Sequence, residues 1–160
     1  MAKPTKQNEY DLALEECIAA QARWAILQAH ILRGHLDRDL VEALLATAPR
    51  GLYRHFKGGL YVVESVVYDV NGIFLPSVDY TALYGKLAGV PAGRLLYGKD
   101  ALLTPVDRAE WTGRRFIRIK KLSIMESAKL RSNAKHISRG PTPEAILERA
   151  LRTIDPRRAK

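Results

Sequence analysis

Gly58-Gly59 is followed at once by Leu60-Tyr61-Val62-Val63, and this junction constrains the fold more than any other part of the chain. Adjacent glycines take positive φ at little steric cost, and the β-branched and aromatic residues behind them favour extended backbone. The chain is therefore predicted to reverse between Phe56 and Tyr61 and to begin a strand at Leu60. Tyr53, His55 and Phe56 are expected to cover the end of a small barrel, with Arg54 and Lys57 facing water.

Strand character continues through the middle of the chain. Leu60 to Tyr68 reads as the first strand, closed by an Asp69-Val70-Asn71-Gly72 turn, and Ser77 to Tyr84 as the next, with Val78, Tyr80, Ala82 and Tyr84 on one face. Short strands at Arg94–Tyr97, Leu102–Val106 and Arg114–Ile119 bring the total to five. Five short strands with glycine-rich turns predict an SH3-like small β-barrel, since curling removes open edges.

Helices flank this segment. Asn8 is a candidate cap for a first helix running to about Arg33, with Tyr10, Leu14, Cys17, Ile18, Trp24, Ala25, Ile31 and Leu32 on its apolar face. Gly34 offers a stop, and Asp37 or Asp39 starts a second helix that ends before Pro49, giving a helical hairpin. Past Ile119, Ser123-Ile124-Met125-Glu126 is a capping box opening a basic helix that ends at Gly140. Thr142 with Pro143 starts a last helix, striped by Ile146, Leu147, Ala150, Leu151 and Ile154, and the tail from Pro156 is expected to be mobile, as is the start of the chain. The fold expected is α+β, with a helical hairpin over 1–50, a barrel domain over 51–119 and a basic helical extension over 120–160.

Tyr53-Arg54-His55-Phe56-Lys57-Gly58, Tyr61-Val62-Val63, the run Val78 to Gly85, and Pro105-Val106 with Arg115-Phe116 carry a resemblance. They are similar to an uncharacterised family of small bacterial and phage proteins with the signature Tyr-Arg-His-Tyr/Phe-Lys-Gly and a later Val-x-Tyr-x-x-Leu-Tyr-Gly. The match covers about residues 52–119. An acidic-Thr pair usual before the second motif is missing, and Tyr97-Gly98 stands where the family has Arg-Pro. The resemblance implies a fold and no reaction.

Charge is unevenly spread. Residues 1–50 hold 6 basic and 7 acidic side chains, 51–119 hold 9 and 6, and 120–160 hold 11 and 4. A cationic C-terminal quarter attracts phosphate backbones or acidic protein surfaces. The single cysteine, Cys17, excludes an internal disulfide and a cysteine-based zinc site and suits a reducing cytoplasm. No run reaches the roughly 20 apolar residues of a membrane span and no signal-type segment follows Met1, so a cytoplasmic protein without membrane contact is expected.

Catalytic chemistry finds little support. His30, His35, His55 and His136 fall in different elements, and the five-residue spacing of the first two is not that of ligands on one helical face, so no metal or cofactor is expected. His55 with Asp79 is the best acid–base pair available. Binding is the better class. The expected nucleic-acid contacts are Arg54, Lys57, Arg94 and Arg115 around the barrel, together with Lys129, Arg131, Lys135 and Arg139 on the basic helix. Tyr53, Phe56 and Tyr84 are the expected ligand-facing aromatics, because bases stack on rings while cations hold phosphates. The alternative is a protein–protein module, a bacterial or phage regulator or inhibitor. For it Gln21, Trp24 and Gln28 on the first helix form an oligomer or partner face, since buried side-chain amides need partners.

Overall fold

The computed structural model describes residues 5–71 and 74–159, with side chains up to residue 157. The first four residues, Gly72 of the expected Asn-Gly turn, and Lys160 of the tail lie outside the described residues. The element order is α1 (Lys6–Leu32), α2 (Arg38–Leu45), β1 (Gly51–His55), β2 (Leu60–Val67), β3 (Ser77–Ala82), β4 (Pro91–Leu95), β5 (Val106–Asp107), β6 (Thr112–Gly113), β7 (Phe116–Lys121), α3 (Ile124–Ser132), α4 (Ala134–Ile137) and α5 (Pro143–Ile154). A single 3₁₀ turn, Pro156–Ala159, follows. The fold is mixed helix and strand, with a five-stranded antiparallel sheet in the order β4-β3-β2-β1-β7 and a separate β5–β6 pair. The sheet ends at β4 and β7, and no closed barrel forms among the described residues.

Several ends follow the chemistry of single residues. The Thr5 hydroxyl, in place of the expected Asn8, caps α1 by accepting from the Asn8 amide at 3.2 Å. Asp37 caps α2, Ser123 and Glu126 form the capping box of α3, and Thr142 caps α5 ahead of Pro143. The basic helix expected to run to Gly140 breaks at Asn133, whose side-chain amide donates to the Lys129 carbonyl at 2.7 Å, so three helices follow the sheet where two were expected.

Two compact units are formed from interleaved segments. The first comprises 1–49, 65–78 and 94–116; the second comprises 50–64, 79–93 and 117–160. Within the first, Ala13, Cys17, Ala20, Trp24 and Leu27 form the buried stripe of α1. Small residues there let the helix come close to β6: a Cβ on Gly113, at φ 116°, would sit 3.3 Å from the Glu9 carbonyl oxygen. Leu14 and Ile18, expected in the apolar face, are 37% and 56% exposed, so the face is rotated from the one expected.

Within the second unit, β1 and β2 form a hairpin in which Leu52 pairs with Val62 and Tyr53 with Tyr61. Residues 51–55, expected as the approach to a turn, are therefore strand; the reversal is confined to residues 56–59, with Gly58 at φ 97° and His55 exchanging backbone hydrogen bonds with Gly58 and Gly59. One side of this sheet region, through Leu52, Leu60, Val62 and Leu83, shares a core with Leu130, Ile137 and Ile146 of α3, α4 and α5. No described helix is long and apolar enough to cross a membrane.

Candidate functional site

Alternation along β2 and β3 determines what lies on the second unit's other face. Leu60 and Val62 enter the helix-packed core, so Tyr61 points the opposite way. Thr81 and Leu83 are 3% and 0% exposed, and Tyr80, Ala82 and Tyr84, expected together on one face, line a pocket. That pocket has a volume of about 270 Å³ and is completed by Lys86 and the exposed Leu87 and Val90.

Its tyrosines are fixed edge to face. The ring of Tyr61 lies 5.2 Å from that of Tyr80 at 61° and 5.5 Å from that of Tyr84 at 89°. The hydroxyls of Tyr61 and Tyr84 share a hydrogen bond of 2.5 Å. The Tyr84 ring occupies the space that a Cβ on Gly59 would fill, so the second glycine of the hairpin seats this ring. Tyr84 also borders a second hollow of about 190 Å³, lined by Lys57, Gly58, Thr142 and Pro143 among others. One exposed ring thus stands between two hollows, each with a lysine at its wall.

The electrostatics of this unit are one-sided. It carries 16 basic and 6 acidic side chains, a net of +10. Glu64 is the centre of its main ion cluster, 2.9 Å from Arg50 and 3.2 Å from Arg131. Among the described residues, exposed Lys57, Lys86, Arg118, Lys120, Lys121, Lys129, Lys135 and Arg139 make no ion pair. Arg118 and Lys120 project from β7, where the Arg118 stem crosses Gly51: a Cβ there would stand 2.6 Å from Cδ. Lys129, Lys135 and Arg139 are exposed, whereas Leu130, Ala134 and Ile137 between them are buried.

The expected contact residues divide between the units. Lys57, Lys129, Lys135 and Arg139 are exposed in the second unit, where Arg131 is committed to Glu64 and the Arg54 Nε is buried. Arg94 and Arg115 belong to the first unit and hold its 94–116 segment together. Arg94 donates to the Asp100 carbonyl at 2.7 Å and lies over the Phe116 ring at 5.2 Å, and Arg115 pairs with the Asp100 carboxylate at 3.3 Å. Burial pushes the Arg115 guanidinium down, against the upward pull of Asp100.

Of the aromatics expected to face a ligand, Tyr84 is exposed and Phe56 half-buried under Lys57, whose ammonium is 5.7 Å from the ring centre. Tyr53 is a correction: at 6% exposure it is buried, on the same face of the hairpin as its pairing partner Tyr61. Trp24 is a second correction, since at 1% exposure it packs on Tyr68 within its own unit at 6.2 Å and cannot face a partner. Gln21 is exposed and Gln28 half-buried. His55 is buried, its Nδ1 accepting from the Lys57 amide at 3.2 Å, while Asp79 is exposed. Tyr80 and Lys86 were not expected at a site; the signal available was the two-residue spacing Tyr80, Ala82, Tyr84 and the glycine opposite it.

No family model, curated protein or solved structure matches the chain.

Proposed function

We infer that the chain is a non-enzymatic nucleic-acid-associated protein that binds single strands through its second unit. The tyrosine pocket takes a base against Tyr84, while Lys57, Lys86 and the cations of β7, α3 and α4 hold phosphates. The observation that carries this reading is that the unit holding the pocket also carries all the net positive charge, with its exposed lysines in no ion pair among the described residues. Rings and unpaired cations are the two parts of a single-strand site. The reading keeps an SH3-like curl of the sheet and membership of the small bacterial and phage family as parts of the proposal; the motif at residues 78–85 contains Tyr84, and Lys57 and Gly58 of the motif at 53–58 share a hollow with it.

Fluorescence anisotropy with a labelled single-stranded oligonucleotide tests it. If roughly four phosphates are neutralised, a slope near −0.7 per phosphate predicts about a 50-fold loss of affinity from about 50 to about 200 mM salt. Tyr84→Ala is expected to remove the roughly 1–3 kcal/mol of one stacked base. No retention of any oligonucleotide at low salt would sink the reading.

A second reading, a protein–protein module, is favoured by the outer side of α1. Asp11, Glu15, Ile18, Ala22, Ile26, Ala29 and Arg33 are all exposed, at spacings that are symmetric about Ala22. In an antiparallel pair of copies centred on Ala22, Ile18 meets the partner's Ile26 and Asp11 the partner's Arg33, so apolar and charged groups both match. Light scattering reads this: a dimer that Ile18→Glu converts to monomer supports it, and a monomeric wild type at high concentration rejects it.

A further inference from the structure

Helix α1 ends in a way that brings together two histidines whose spacing alone keeps them apart. Gly34 takes φ 76°, its amide donates to the Ile31 carbonyl at 2.9 Å, and the His35 amide donates to the His30 carbonyl at 2.9 Å. This is a Schellman ending, in which the side chains at its two outer positions meet, normally as an apolar contact. Here those positions are His30 and His35, with ring centres 5.4 Å apart.

Two residues on, Asp37 caps α2. One carboxylate oxygen, Oδ1, accepts from the Asp39 and Leu40 amides at 3.1 and 3.2 Å, which leaves Oδ2 directed at His30 Nδ1, 3.8 Å away. That nitrogen is buried and has no hydrogen-bond partner among the described residues. One ligand atom from each of His30, His35 and Asp37 lies within 4.8 Å of the other two.

We propose that His30, His35 and Asp37 bind a divalent first-row transition ion of the zinc, cobalt or nickel class. Two imidazoles and one carboxylate suit these ions, whereas magnesium and calcium select oxygen donors. Tetrahedral ligands at 2.0–2.2 Å stand about 3.4 Å apart, so the cluster closes on an ion by a shift of roughly 1 Å, which exposed His35 supplies by side-chain rotation. The amides of α2 hold the carboxylate in place, the role an outer shell plays at metal sites. The C-terminal end of a 27-residue helix adds a partial negative charge. Three protein ligands leave a coordination position open, as exchangeable and catalytic sites do. A shallow hollow of about 220 Å³, bounded by His35, Leu36 and Val70 among others, lies beside one of the three ligands.

The proposal stands apart from the nucleic-acid reading and is tested on the full chain without a histidine tag. Co²⁺ is titrated in and followed by its visible d–d absorption, then displaced with Zn²⁺. One equivalent is expected to saturate the band, and His35→Ala and Asp37→Asn are each expected to weaken binding about 10- to 100-fold or more. Asparagine keeps the oxygen that caps α2, and His35 is exposed, so both variants retain the fold, which circular dichroism verifies. Absence of a saturable band, or affinity unchanged in both variants, overturns the site.

Discussion

The two compact units differ in how they use charge. The first holds 10 basic and 11 acidic side chains, a net of −1; the second holds 16 and 6, a net of +10. In the first, Arg114 bonds Glu16 of α1, and Arg94 and Arg115 both reach Asp100. In the second, Arg50 and Arg131 share Glu64, while exposed Lys57, Lys86, Arg118, Lys120, Lys121, Lys129, Lys135 and Arg139 meet no carboxylate among the described residues. Self-repulsion of this kind costs stability, and a partner rich in phosphate relieves it. The comparison teaches that the basicity of the whole chain is a property of one unit, the one that also holds the tyrosine pocket.

The largest effect expected from breaking this asymmetry is on binding. Reversing Lys129, Lys135 and Arg139 to Glu should lower oligonucleotide affinity about 100-fold or more, because each lost phosphate contact is replaced by repulsion. The same number of reversals in the first unit, at Arg33, Lys99 and Arg108, should change it by less than about 3-fold through screened long-range effects. Equal losses in the two triple variants would erase the distinction.

A smaller effect concerns the seat of Tyr84. Gly59→Ala places a methyl group in the Tyr84 ring and should destabilise by about 1–3 kcal/mol, read as a lower urea midpoint. Gly93→Ala, where a Cβ meets nothing within 4 Å, is the control and should leave the midpoint in place. A Gly59→Ala chain as stable as the wild type would mean the ring is not held there.

The smallest effect sharpens the first unit's side. Burial pushes the Cys17 thiol up. The folded chain then keeps a proton that the unfolded chain releases near pH 8.5, so this contribution is whole below about pH 8.5 and is lost as pH rises through the higher folded value. Urea midpoints should fall across that alkaline window, and Cys17→Ala should lessen the fall.

Much of the fold was legible where single residues dictate geometry. Asp37, Ser123 with Glu126, and Thr142 with Pro143 cap the helices expected of them, and Gly58-Gly59 turns the chain where it should. What was hidden depended on partners distant in sequence. The α1 face rotated because Ala13 and Ala20, weak hydrophobes by themselves, suit the close approach that Gly113 permits. Strand β1 read as a turn because its charges and rings conceal a pairing that only β2 completes. Of the candidate site, Tyr84, Lys57 and the helix cations were named from the sequence and Tyr80 was not, because only the folded sheet shows that Thr81 and Leu83 take the buried side. His30 and His35 were set aside by counting along a helix that ends between them, at Leu32.

The central claim is that phosphate-bearing strands contact the second unit and not the first. Backbone amide NMR spectra of the full chain, recorded while a short single-stranded oligonucleotide is added, test it residue by residue. The account predicts shifts concentrated at residues 57–61, 80–92 and 118–139, with Arg94, Arg115 and α1 nearly still. Shifts centred on α1 or on residues 94–116, with the tyrosine pocket unmoved, would contradict it.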